Sequence, residues 1–282
     1  MSELTPKVLA SGFTFPEGPR WRDGKLWFSD FYAHRVLTVD LAGKVEEVVK
    51  VPQQPSGLGF LPDGRLLIVS MLDRKLLRLD GVKLTEVADL SADATGPCND
   101  MVVDAKGRAY IGNFGSNHHA GEPPRAACLV RVDPDGKVTK VADDLEFPNG
   151  TVITPGSKTL IVGETRGNRL TAFDIAADGS LANRRIFAAV AGMFPDGICL
   201  DAAGGIWVAD PRGLRTLRVE EGGRVTHSID TSPRGCYACM LGGDDGKTLF
   251  ILTNTGSGPA MGQKADGRIE IVRVDVPHAG LP

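Results

Sequence analysis

Two kinds of short hydrophobic segment alternate along the chain. The first is a continuous apolar run ending in a polar residue: Leu26-Trp27-Phe28-Ser29-Asp30, Arg65-Leu66-Leu67-Ile68-Val69-Ser70, Arg108-Ala109-Tyr110-Ile111-Gly112-Asn113, Thr159-Leu160-Ile161-Val162-Gly163-Glu164, Gly205-Ile206-Trp207-Val208-Ala209-Asp210 and Thr248-Leu249-Phe250-Ile251-Leu252-Thr253. Such runs predict strands buried on both faces. The second kind alternates apolar and polar residues, as in Arg35-Val36-Leu37-Thr38-Val39-Asp40, Lys75-Leu76-Leu77-Arg78-Leu79-Asp80 and Arg169-Leu170-Thr171-Ala172-Phe173-Asp174. That period predicts a half-exposed strand. Turn signals such as Gly43-Lys44 and Asp135-Gly136-Lys137 then lead into a fourth strand, Val45 to Val49 and Val138 to Val141 in those two copies. No stretch carries a helical period.

Each group of strands is preceded by the same short frame. Phe15-Pro16-Glu17-Gly18 returns as Gln54-Pro55-Ser56-Gly57, Phe147-Pro148-Asn149-Gly150 and Phe194-Pro195-Asp196-Gly197, with looser copies at Pro97-Cys98-Asn99-Asp100 and Gly235-Cys236-Tyr237. The equivalent third positions are therefore Glu17, Ser56, Asn99, Asn149, Asp196 and Cys236, spaced by 39, 43, 50, 47 and 40 residues. A repeat near 40 residues, holding four strands, is the mark of a propeller. The chain is expected to be all-β: a six-bladed β-propeller of four antiparallel strands per blade, forming one domain over residues 1–282. A sandwich of similar strand count would leave the shared frame unexplained. Lys7-Val8-Leu9-Ala10 is expected to complete the last blade and remove the open sheet edge. Two Gly/Pro-rich insertions, Gly115 to Arg125 with His118-His119 and Gly256 to Asp266, read as loops over a mouth.

Composition narrows the partners. Hydrophobic residues at 42% and charged residues at 24% are globular values and argue against disorder. The net charge of −3 and the lack of a Lys/Arg run exclude a nucleic-acid or anionic-membrane footprint, leaving a small molecule as the expected partner. The N-terminal residues show no basic start followed by a long apolar segment, and no run is long enough to span a bilayer. Five cysteines, an odd number, fit a reducing compartment better than a disulfide framework. The expected location is the cytoplasm; oligomeric state stays open.

Equivalent positions in a propeller meet around its axis. Glu17, Asn99, Asn149 and Asp196 would then present two carboxylates and two carboxamides, an oxygen set suited to one hard divalent cation. Calcium is the first expectation, and zinc, manganese, magnesium and ferrous iron also tolerate such ligands. Asn or Asp before Gly is also a common turn residue that needs no ligand. Against a turn role for all of them stands the cost of burying Glu17 or Asp196 without a countercharge. Other candidates are weaker. Cys236-Tyr237-Ala238-Cys239 is a lone Cys-x-x-Cys, more simply a buried pair, and His118-His119 reads as a surface pair in a loop. Tyr32, Arg166, Asp210 and Tyr237 sit near strand ends and could line the mouth or simply pack. There is no nucleophile elbow, P-loop or dinucleotide fingerprint.

Glu17-Gly18-Pro19-Arg20-Trp21, Asn99-Asp100, Phe147-Pro148-Asn149-Gly150 and Pro195-Asp196-Gly197 resemble the signature of the SMP-30/gluconolactonase/LRE family, which includes regucalcin, gluconolactonases and xylonolactonases. The resemblance covers almost the whole chain. It implies a six-bladed propeller with one catalytic divalent ion, with Glu17, Asn149 and Asp196 as metal ligands and Asn99 contacting metal or substrate. Animal members acting on aldonolactones carry arginine where this chain has Pro97, so specificity for sugar lactones does not follow. The expected activity is metal-assisted hydrolysis of a lactone or related ester, a carboxylic ester hydrolase reaction, with Asp196 as base or nucleophile. A metal-dependent phosphotriesterase or fluorophosphatase and a non-catalytic ligand-binding propeller are the alternatives.

Overall fold

The computed structural model describes residues 4–282. Six four-stranded antiparallel sheets account for nearly all its regular structure, joined by three 3-10 turns at Phe31–Ala33, His118–Ala120 and Pro259–Gln263. The first strand of each blade is Pro16–Arg22, Pro55–Phe60, Cys98–Val103, Pro148–Ile153, Ile198–Leu200 or Gly235–Gly242. Each of these adjoins the first strand of the next blade, and the sixth returns to the first, so the sheets close a ring. The expected six-bladed propeller is the observed fold. Closure also follows the expectation: Lys7–Phe13 pairs antiparallel with Gly267–Arg273, with Lys7 opposite Ile271 and Phe13 opposite Gly267.

The continuous apolar runs form the second strands. Leu66–Ser70, Ala109–Asn113 and Ile206–Asp210 are buried at every residue, because neighbouring blades cover both faces of the sheet. Lys75–Asp80 is half-exposed along most of its length, as alternation predicts, but other third strands are more buried than that expectation. Arg35–Asp40 is buried at its four central residues and Ala127–Val132 throughout. Their polar positions are accommodated inside by ion pairing, as where Arg131 meets Asp133 at 2.8 Å and Arg218 meets Asp201 at 2.6 Å. Solvent exposure instead falls mainly on the fourth strands, such as Val45–Lys50.

A register shift follows the repeated frame in five blades, between Glu17 and Arg20, Pro55 and Leu58, Cys98 and Met101, Pro148 and Thr151, and Cys236 and Ala238. In the remaining blade, pairing with the second strand begins only at Ile198, after Asp196. A bulge releases a residue from regular pairing and re-aims its side chain. The glycine of the frame has a separate role. A Cβ on Gly57 would come within 2.6 Å of Met101 N, and one on Gly150 within 2.4 Å of Ile198 N. Adjacent frames thus meet backbone to backbone, and only glycine fits between them.

Candidate active site

A cavity of about 480 Å³ opens at the end of the ring where the frames begin. Glu17, Asn99, Asn149 and Asp196 all line it. The other two frame positions do not. Ser56 is buried and its hydroxyl lies 3.4 Å from Asn99 Oδ1, while Cys236 is buried with its sulfur accepting from the Thr216 hydroxyl at 3.1 Å. Four blades therefore bring oxygen donors to one place.

Backbone bonds within and between blades hold these residues. Gly150 N–H donates to Asp196 O at 3.1 Å, Asp196 N–H to Ala209 O at 2.9 Å, and Gly197 N–H to Tyr237 O at 2.8 Å. The Asn149 amide is oriented by a short chain of bonds. The Thr165 hydroxyl must donate to the Pro195 carbonyl at 2.7 Å, so it accepts from Asn149 Nδ2 at 3.2 Å. That identifies the end of the amide facing Thr165 as NH2 and leaves Oδ1 unspent. Asn99 is buried, and its Nδ2 has no partner among the described residues.

The electrostatics are one-sided. Burial, followed by the charges of Asp196 and Asp100, pushes the Glu17 carboxyl well above its usual range. Burial likewise pushes Asp196 up, opposed by a hydrogen bond from Asn149 and reinforced by Asp100. Neither carboxylate has an ion-pair partner among the described residues. The nearby Arg20 is committed to Asp100 at 3.0 Å and to backbone carbonyls of Pro19 and Met101. Two half-buried carboxylates, an amide oxygen without a partner and an unsatisfied amide on the same wall fit a hard divalent cation, which would supply the missing positive charge. Glu17, Asn149 and Asp196 would hold it, with Asn99 beside them. No group of three or more His, Cys, Asp or Glu arranged to hold a metal occurs among the described residues; here the amides complete the set.

Residues 15–255 match the model of the SMP-30/gluconolactonase/LRE-like region. The chain belongs to the SMP-30/gluconolactonase/LRE-like family. Its relatives include a 6-deoxy-6-sulfogluconolactonase of Pseudomonas putida, 26% identical over 100% of this chain and 99% of that protein. A pentonolactonase of Haloferax volcanii is also 26% identical, over 98% and 96% of the two chains. Among solved structures, a luciferin-regenerating enzyme superposes with a TM-score of 0.81 at 18% identity, covering 98% of each chain, which speaks for the fold.

In this member of the SMP-30/gluconolactonase/LRE-like family the cavity wall is strongly aromatic. The Phe15 ring lies tilted, its centroid 4.7 Å from that of Tyr237 and 5.6 Å from that of Tyr32, and the Phe114 ring lies 4.6 Å from that of Phe147. Burial raises the phenols of Tyr32 and Tyr237 to about 12, so both stay protonated at neutral pH. Ser257 and Gly258 of the second insertion line the cavity together with these two tyrosines. The first insertion reaches the same place: His119 lines the cavity, and a Cβ on Gly258 would stand 3.5 Å from its ring. His118 belongs to the same 3-10 turn. Of the strand-end residues considered for the mouth, Tyr32 and Tyr237 line it and Arg166 and Asp210 do not.

Asp210 belongs to a supporting layer that the sequence reading missed. Asp30, Glu164 and Asp210 end the second strands of blades one, four and five with side chains 0% exposed, each paired with an arginine five residues on: Arg35 at 3.1 Å, Arg169 at 2.9 Å and Arg215 at 2.9 Å. Each also accepts a backbone N–H from the segment leading to a site residue. Asp30 takes Phe15 N at 3.0 Å, Glu164 takes Glu146 N at 2.7 Å, and Asp210 takes Phe194 N at 3.2 Å. The signal was present as acid-x4-Arg, repeated three times.

All five cysteines are buried and free. Cys199 and Cys239 sulfurs lie 4.0 Å apart in the interior, and Cys236 faces Thr216, so the Cys-x-x-Cys pair packs inside the sheets. No helix among the described residues is long and apolar enough to cross a membrane.

Proposed function

We propose that this chain is a divalent-metal-dependent lactonase that opens a lactone ring to the hydroxy acid. What supports the reading is the meeting of two carboxylates without countercharge and two carboxamides at one cavity, from blades one, three, four and five. The names of the relatives from Pseudomonas putida and Haloferax volcanii point to the same reaction.

A bound cation, with calcium as the first candidate, supplies Lewis acidity for the ring carbonyl and makes adjacent water easier to deprotonate. Glu17 holds negative charge at the site and Asn149 presents its Oδ1. Asn99 orients the lactone. Asp196 either accepts the proton of the attacking water, whose oxygen bonds to the carbonyl carbon, or attacks that carbon itself. In both courses the ring C–O bond breaks and the ring oxygen leaves as the alcohol: in the first it takes the proton that Asp196 accepted from water, and in the second a water cleaves the mixed anhydride on Asp196, giving one proton to the ring oxygen and releasing the product acid and free Asp196. Single turnover in 18O-labelled water tests the second course: label in the Asp196 carboxylate arises only when water attacks the Asp196 carbonyl of that anhydride.

The purified protein should contain a stoichiometric divalent metal by mass spectrometry and release acid from members of a lactone panel. Chelation should abolish that release and metal should restore it. Hydrolysis of a phosphotriester but of no lactone would overturn the reading in favour of phosphoester chemistry. Absence of both activities would reduce the propeller to a binding module.

A further inference from the structure

We propose that a second chamber beside the Glu17–Asp196 cavity is the other half of the substrate site and takes an apolar alkyl or aryl substituent carried on the lactone ring. The identity of the ring rests on the lactonase reading; the character of the chamber does not.

The second chamber encloses about 490 Å³ and shares Tyr32, Gln54, Met71, Phe114 and His119 with the first. These five form the neck between them. Each cavity alone lies in the range that accommodates drug-sized ligands, ~300–1,000 Å³, so the pair is oversized for a bare sugar ring. The two differ in charge. Glu17, Asp196 and Arg212 line the first, whereas no Asp, Glu, Lys or Arg lines the second.

Beyond the neck the wall is largely apolar, with Leu72, Pro97, Ala120, Pro259 and Gly262. Its polar side chains are mostly engaged within the protein. Gln54 Nε2 donates to the Met71 sulfur at 3.0 Å, His34 Nδ1 bonds Pro52 O at 2.7 Å, and Asn117 Oδ1 accepts from Ala120 N at 3.2 Å. Leu72 remains 48% exposed, one of the few large apolar side chains left at the surface. The backbone beneath it is fixed, since Met71 N donates to Gln54 O at 2.8 Å and Leu72 N to Gln53 O at 3.1 Å. A preformed, uncharged wall next to a charged reaction centre sorts a substrate by polarity. The reacting carbonyl goes to the acidic half, and an apolar tail gains by leaving water in the other.

The test uses δ-valerolactams bearing methyl, butyl or octyl groups, which keep the ring carbonyl but resist ring opening. Their binding is measured by calorimetry in excess calcium. Affinity for the wild-type protein should rise about fourfold per methylene over the first few carbons. Leu72→Trp, at an exposed position, narrows the chamber and should reduce that rise while leaving the methyl compound within about twofold. No rise with chain length in the wild type, no binding of any lactam, or an unchanged slope in Leu72→Trp would each overturn the subsite. A matching series of lactones is followed for hydrolysis. Hydrolysis without chain preference would overturn the subsite and keep the lactonase. A chain-length slope in lactam binding with no lactone hydrolysed would keep the subsite and overturn the lactonase.

Discussion

Glu164 and Glu17 are both carboxylates inside this propeller, one ending a second strand and the other lining the cavity, yet the protein treats them in opposite ways. Glu164 accepts from Arg169 Nε and Nη2 at 3.0 and 2.9 Å, from Arg184 at 3.3 Å, from Glu146 N at 2.7 Å and from the Thr171 hydroxyl. Burial pulls its carboxyl upward, but the bonds from Arg169, Thr171 and Glu146 outweigh burial and hold it below the usual range. Glu17 has one such bond, from Gly18 N at 3.1 Å, and faces Asp196 and Asp100 instead of an arginine. The same contrast separates Asp210, bonded to Arg215, from Asp196, which has no cation. Carboxylates supplied with countercharge set the backbone leading to the cavity; those left without it line the cavity, where the proposed cation would supply that charge.

The largest expected effect breaks this contrast at Asp196. Asp196→Asn removes one uncompensated charge and the group assigned to proton transfer or attack. Turnover should fall by about 10²–10⁴-fold, with a melting temperature in metal-free buffer equal to or above that of the wild type. Steady-state kinetics and calorimetry on one preparation check both halves, and near-wild-type turnover would take Asp196 out of the mechanism. Glu164→Gln should do the reverse, costing ~2–4 kcal/mol of stability at pH 7 because Arg169 and Arg184 lose their partner. The sign of its pH dependence follows from a folded-state pKa held below the unfolded one. The stabilisation is complete above the unfolded value and is lost as pH falls through the folded value. Denaturation at pH 7 and at pH 3 should therefore show the penalty shrinking in acid. An equal penalty at both would mean that it arises from packing.

The blades were legible because continuous apolar runs, turn residues and a shared frame all repeat near 40 residues. Glu17, Asn99, Asn149 and Asp196 were legible as a group because the ring brings equivalent positions together. The same equivalence could not tell that Ser56 and Cys236 turn away, since their direction depends on contacts with Asn99 and Thr216 in other strands or blades. Alternation held for Lys75–Asp80 but misread third strands such as Arg35–Asp40, where blade-on-blade packing covers both faces, and positions such as Arg218 are buried with an acid from another part of the blade. Asp210 looked like a mouth residue for a related reason. Its position at a strand end is visible in sequence, but its commitment to Arg215 and Phe194 N is visible only as a repeat shared with Asp30 and Glu164. The second chamber had no sequence signal, because Leu72, Pro97 and Pro259 come from three separate turns or loops.

The smallest expected effect probes the frame glycines, which tie one blade's site residue to the next. Gly150 does not have a positive φ, so alanine would keep its backbone and any cost is one of space. The added methyl would fall 2.4 Å from Ile198 N and 2.7 Å from Asp196 O, backbone atoms with no rotamer to yield. Overpacking of this kind costs ~1–3 kcal/mol. The strain also falls on the Gly150 N–H to Asp196 O bond, so the carboxylate it helps to position should shift with it. Gly150→Ala is therefore expected to lower kcat more than a stability loss of that size alone would, read at a temperature where the variant is fully folded by circular dichroism. A variant that melts lower but turns over normally would show that Asp196 is placed by its bond to Ala209 within its own blade, and that the seam between blades serves only the fold.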